Sequence, residues 1–320
     1  MSSMRSLARP LPARAATGVA LLLLLAACSA GADTTEDATA LESAASADLE
    51  SRVAKLEKEI SSLESEAKTH EVSATGEAEH ESAAGAEAEV HEKGHFTYEG
   101  ESGPAKWAEL DPAWQTCATG TEQSPTNLTG GRGLDLTDAR FDYKPSAVTA
   151  VNNGHTVQVE VADGGSMTLD GKTYTLKQFH FHSPSEHTIE GKAAEMELHL
   201  VHADADGKLA VVGVMLDLGA ANTSLEPVWA KLPTEKDAKA ALDAPFDPAT
   251  LLPAKHAAYR YQGSLTTPPC SEGVEWSVLE ETATLSEAQA KAFTAIFAGG
   301  NARPVQDLGA RLLITDSVSG

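Results

Sequence analysis

The chain has 320 residues, with 24 Lys and Arg against 47 Asp and Glu, and a formal net charge of −23. So acidic a surface repels phosphate backbones and anionic headgroups, which excludes nucleic acid and anionic lipid as electrostatic partners. Length alone would allow two domains, but the distribution of residue types argues for one.

Residues 1–28 read as a secretory signal. Arg5, Arg9 and Arg14 make a positive start, and an apolar run from Ala15 to Ala27 follows. The run is too short to span a bilayer comfortably, and the arginines are not adjacent, which argues against twin-arginine export. It closes on Leu25-Ala26-Ala27-Cys28, which resembles a bacterial lipoprotein cleavage box. Cys28 would then be the lipidated first residue of an exported chain, anchored to a bacterial membrane and facing periplasm or cell exterior. An ordinary signal peptide that contains a cysteine is the alternative. With Cys28 assigned to lipid, Cys117 and Cys270 remain as an even pair, expected to form a disulfide in an oxidising compartment; two unpaired buried thiols are the competing reading.

Residues 29–95 are rich in Ala, Glu, Ser and Thr and carry no aromatic residue, so most of this stretch is expected to be a flexible tether. Within it Leu49, Val53, Leu56, Ile60, Leu63 and Ala67 recur at spacings of four and three, the seam of a short coiled coil over 46–67 and the basis for expecting a homodimer. A lone amphipathic helix is the competing reading, because Glu59 and Glu64 would repel across a dimer. His70, His80, His91 and His95 read as solvated histidines, with a weak zinc-capturing tail as the alternative.

The composition changes at Phe96, and 96–320 reads as one domain. Val157 to Val161 alternates as a strand, and Asp170-Gly171 has the chemistry of a hairpin turn. Leu209 to Leu216 and Gly273 to Leu279 read as buried strands, whereas helical patterns are few, chiefly Ser224 to Lys231 and Ser286 to Phe297.

Three histidines stand out, in Gln178-Phe179-His180-Phe181-His182 and Glu197-Leu198-His199-Leu200-Val201. Strand side chains alternate faces, so His180 and His182 project to one side and the phenylalanines to the other. A second strand bringing His199 alongside completes three neutral imidazoles and leaves the fourth position of a tetrahedral Zn²⁺ open, the layout of a catalytic site. Gln178 and Glu197, each two residues before a ligand on its own face, are the expected partners that fix His180 and His199. Ordinary partly buried histidines on two strands are the bland alternative.

The chain resembles the α-class carbonic anhydrases. The residues that carry the resemblance run in the family's order: Trp107-Ala108-Glu109-Leu110, Gln123-Ser124-Pro125, Asn152-Asn153-Gly154-His155, the two histidine strands, Gly263-Ser264-Leu265-Thr266-Thr267-Pro268-Pro269-Cys270, and Asn301-Ala302-Arg303-Pro304-Val305-Gln306. The implied fold is mainly β (α+β): a large, mostly antiparallel twisted sheet with short peripheral helices. The implied activity is reversible hydration of CO₂ to bicarbonate and a proton, by hydroxide on a zinc held by His180, His182 and His199. The resemblance also assigns an apolar CO₂ wall to Val201, Val211, Leu265 and Trp276, and makes Thr266 the gatekeeper that donates to Glu186. Thr267 lines the pocket, and His155 is the proton shuttle, with Tyr98, Asn153 and Gln158 ordering its water. Ala194 departs from the family, which usually has an aromatic there. His187, His202 and His256 read as structural. The first alternative is a non-catalytic carbonic-anhydrase-like binding module, against which stand the three intact ligands with Thr266 and Glu186. A metal-dependent hydrolase of another fold is the second, and its His-x-His-x-Asp-His run is absent.

Overall fold

A computed structural model describes residues 94–316 apart from residue 138. The signal, Cys28, the acidic stretch to residue 93 and its heptad seam lie outside the described residues.

Among the described residues thirteen strands form one sheet, ten of them in a single row. In chain order the ten are β1 (Arg132–Leu134), β2 (Val148–Asn152), β3 (Val157–Val161), β4 (Lys172–His182), β5 (Met196–Ala203), β6 (Leu209–Leu218), β7 (Lys239–Ala241), β8 (Ala258–Ser264), β9 (Glu272–Leu279) and β10 (Ile314–Asp316). Across the sheet they run β7-β2-β3-β4-β5-β6-β9-β8-β10-β1. The β6/β9 and β10/β1 pairs are parallel; the rest of the row is antiparallel. The helices are short, including Trp107–Leu110, Glu226–Trp229 and Glu287–Thr294. Ser286 and Gln289 close a capping box on the last of these, supplying partners for backbone N–H groups that a helix start leaves unpaired. No described helix is long and apolar enough to cross a membrane.

Side-chain alternation decides which face is core. Val157, Val159 and Val161 of β3 are buried while Gln158 and Glu160 between them are not. In β6 every residue from Ala210 to Leu216 is buried, because both faces are covered: Ala210, Val212, Val214 and Leu216 enter the larger apolar cluster, Val211 and Met215 the smaller one on the other side. The hairpin into β4 turns at Asp170 (φ 49°) and Gly171 (φ 76°), the paired positive φ values of a tight turn whose twist suits antiparallel strands.

Cys117 and Cys270 form a disulfide. It ties the segment holding Trp107 and Cys117 to the loop after β8, which carries Leu265, Thr266 and Thr267. Gln123 reinforces the tie, its Nε2 donating to the Cys270 carbonyl at 3.1 Å.

Candidate metal centre

A β-bulge aims the histidines. Along β4 the buried apolar residues are Tyr174 and Leu176, then Phe179 and Phe181; the alternation changes phase where the register with β5 shifts between Leu176 and Gln178. An extra residue in one strand moves everything after it to the opposite face. Without Lys177 as the extra residue, the imidazoles would face the core and the phenylalanines the cavity. The register then sets His180 directly across from His199 and His182 across from Glu197. On the far side of β5, Gly213 of β6 pairs with His199. A Cβ on Gly213 would fall 2.9 Å from Glu197 Oε1, so the glycine leaves room for that carboxylate.

Each imidazole has one nitrogen committed outward. His180 Nδ1–H donates to Gln178 Oε1 at 2.8 Å, His182 Nδ1–H donates to the Asn301 carbonyl at 2.7 Å, and His199 turns Nε2 to Glu197 Oε1, 2.9 Å away. The other nitrogens face one another, with the three side chains' ligating atoms within 4.8 Å. His182 Nε2 is buried with no hydrogen-bond partner, and a buried orphan acceptor is costly unless something occupies its lone pair. Burial first, then the neighbouring imidazoles, holds His180 well below the usual histidine range and His182 down at about 3. His180 and His182 are therefore neutral, and neutral nitrogen donors with fixed tautomers are what a zinc site requires.

Behind them Glu197 is a knot of hydrogen bonds. Its Oε2 accepts from the backbone N–H groups of Glu186 and His187 at 2.9 and 2.8 Å, and Oε1 accepts from His187 Nδ1 at 2.8 Å. Burial alone would raise this carboxyl, but His187, His199 and these bonds outweigh it and hold it well below the usual range. The chain of contacts continues from His187 Nε2 to the Tyr261 hydroxyl at 2.7 Å and on to Ser124 Oγ at 2.8 Å. His187, Glu197 and His199 could also cluster around an ion, but these bonds already occupy their inner atoms.

The metal face opens into a cavity of about 310 Å³. Val201, Val211, Leu265 and Trp276 line it with Thr266, Thr267, Tyr98, Asn153, His155, Gln158 and Gln178. Trp276 is fixed by donating Nε1–H to the Ser264 carbonyl at 3.0 Å. Glu186 lies beside the triad, its Oε2 3.4 Å from His182 Nε2 and its Oε1 accepting from the Arg303 backbone N–H at 2.8 Å. Burial pushes its carboxyl up, opposed by that bond and by the Thr266 hydroxyl. A larger, more open depression of about 530 Å³ near Thr223, Lys231 and Phe246 contains no histidine or cysteine.

Three contributors escaped the sequence reading. Asn301 holds His182 from 119 residues away, and its own Nδ2 donates to the carbonyls of His155 and Phe181, both at 2.9 Å. Gly213 lies inside a run that reads from sequence simply as a buried strand, although a glycine inside a strand signals a close approach. Phe96 lines the cavity and stacks on His155 at 3.7 Å and 7°. This stack bears on the expected shuttle: burial first, then His95 and Lys236, lowers His155 to about 4 rather than leaving it near neutrality. His95, read as part of the tether, lies at the same place, 5.8 Å from the His155 ring. His202, read as structural, is buried and bonds the Tyr143 hydroxyl at 2.6 Å and the Ala210 carbonyl at 3.1 Å. Ala194 packs against the smaller apolar cluster.

A family model described as eukaryotic-type carbonic anhydrase matches residues 102–317. A carbonic anhydrase of Neisseria gonorrhoeae is 44% identical over 221 residues, which covers 69% of this chain and 87% of the relative. One from Pectobacterium carotovorum is 40% identical over 220 residues, 69% of this chain and 90% of the relative. The solved α-carbonic anhydrase from Thermovibrio ammonificans, in complex with the inhibitor sulfanilamide, superposes with a TM-score of 0.68 at 43% identity, over 69% of this chain and 99% of its own. With the family model matching more than half of this chain and the histidine triad in place, this chain belongs to the eukaryotic-type, or α, carbonic anhydrases and is an enzyme of that family.

Proposed function

We propose that the chain catalyses zinc-dependent reversible hydration of CO₂ to bicarbonate and a proton. The observation that carries the reading is the triad itself: three imidazoles, each with one nitrogen turned outward, converge beside an apolar wall. His180 and His182 would hold the ion through Nε2 and His199 through Nδ1, since their other nitrogens are committed. Bound zinc acidifies a water ligand to a pKa of about 7, an effect for which carbonic anhydrases are the standard illustration.

The remaining chemistry falls to the chain's own groups. Val201, Val211, Leu265 and Trp276 give apolar CO₂ a dry surface. The Thr266 hydroxyl donates to Glu186, so its oxygen is left to accept from the nucleophile and aim it at carbon. Thr267 bounds the pocket. His155 carries the product proton toward solvent, with Tyr98, Asn153 and Gln158 ordering the water between. Stopped-flow CO₂ hydration before and after zinc chelation tests the reading; turnover that survives complete removal of the metal would refute it.

His155→Ala separates proton export from chemistry. Turnover in weak buffer should fall roughly tenfold, below the usual span of a general acid–base group because the resting ring is hard to protonate, while kcat/KM stays near the parent value. Added imidazole should restore it. A loss that imidazole cannot rescue assigns His155 a structural role.

The sequence also supports export and lipid anchoring at Cys28, with self-association through the seam over 46–67. Cys28→Ser should move the protein from the membrane to the soluble fraction; unchanged fractionation would point to another anchor.

A further inference from the structure

His95 and Phe96 are neighbours in the chain, and both reach His155. The Phe96 ring is held edge-on by Trp107 at 5.2 Å, Trp114 at 5.9 Å and Tyr98 at 5.9 Å, and offers its face to the His155 ring. So anchored, Phe96 fixes where the next residue outward can go. His95 is exposed, and its ring centroid lies 5.8 Å from that of His155 at 46°. The His155 backbone is fixed as well: its N–H donates to Asn153 Oδ1 at 2.9 Å, and its carbonyl accepts from Asn301 Nδ2 at 2.9 Å. One imidazole lines the cavity and the other stands in solvent, with ring centroids close enough for a bridging water to join them.

We propose that His95 is the outer half of a two-histidine proton relay, taking the proton from His155 and handing it to buffer. The proposal rests on the reading of His155 as the shuttle. In the step, the His155 imidazolium loses one N–H proton to a ring-nitrogen lone pair of His95. His155 becomes neutral, His95 becomes the imidazolium, and a buffer base removes the same proton from it. No electrons are exchanged.

The surroundings of His155 favour this direction. The ring lies flat on an apolar face, a poor medium for a cation. Two basic groups act on it, His95 from the N-terminal segment and Lys236, whose side chain lies over the adjoining Gly154. A proton on His155 is therefore held only briefly. On His95 it is hydrated by bulk water.

The test uses the full chain loaded with zinc and compares H95A, H95Q, H155A and the H95A/H155A double variant. In weak buffer H95A should lose roughly threefold or more in kcat, less than H155A, with kcat/KM unchanged and imidazole restoring the loss. H95Q, which fills the space without titrating, should behave as H95A does. The double variant should be no slower than H155A, because the two groups act in series. A readout independent of turnover is NMR titration of the histidine rings: H95A should move the His155 titration upward, since a neighbouring cation that depresses it is gone. If H155A loses weak-buffer turnover while H95A and H95Q keep it, His95 has no relay role and the shuttle reading stands. Losses that multiply in the double variant overturn the series arrangement. If H155A itself keeps full weak-buffer turnover, the shuttle reading fails and the relay fails with it.

Discussion

His182→Ala is expected to leave a folded chain that retains no stoichiometric zinc and no measurable CO₂ hydration. His182 is buried and is the ligand whose inner nitrogen has no hydrogen-bond partner. Removing it takes one of three donors and also leaves the Asn301 carbonyl without the N–H it accepts, a destabilisation of about 1–3 kcal/mol. The loss of metal should exceed that of Gln178→Ala, which removes only the outer partner of His180 and should weaken zinc by roughly 10–100-fold. Metal analysis after dialysis, with circular dichroism to establish folding, checks both variants. Stoichiometric zinc in His182→Ala would sink the assignment of the triad.

The second large effect is on turnover with the metal in place. Thr266→Ala should keep full zinc content and lose about a hundredfold in kcat/KM, the scale of one transition-state hydrogen bond and equal to about 2.7 kcal/mol. Thr266 is buried at the cavity and its hydroxyl is one of the groups that oppose the raised pKa of Glu186. The variant breaks that pairing and removes the acceptor facing the nucleophile. Thr266→Ser, which keeps the hydroxyl, should recover most of the loss. Stopped-flow rates for the two variants decide it; near-parental turnover in Thr266→Ala removes the residue from the mechanism.

What could be read from the sequence was local. Alternation on a strand has a period of two, so His180, His182 and the partners Gln178 and Glu197 declare themselves within a few residues. The Asp170-Gly171 turn and the valines of β3 do so for the same reason. The resemblance to a family brought in Thr266, Glu186 and the apolar wall, which no local spacing would have joined. What stayed hidden depends on long-range packing. Asn301 reaches His182 only because the chain returns to the end of β4 after 119 residues, and the phase change at Lys177 requires the register with β5. The lowered His155 comes from burial, to which the stacked Phe96 ring contributes, and then from His95 and Lys236; Phe96 is the residue at which composition alone places the start of the domain. Helix ends were overestimated, since apolar spacing persists beyond Thr294 after the helix has stopped.

Asn301 also orders events in time. It follows His182 by 119 residues, and at about 5–20 residues per second the ribosome needs roughly 6–24 s to span that interval. All three imidazoles therefore leave the ribosome well before the carbonyl that locks one of them, and before the amide that steadies His155. A locked triad is accordingly a property of the completed chain rather than of the nascent one. A product cut or stalled short of residue 301 would carry all three histidines and still lack the carbonyl that locks His182.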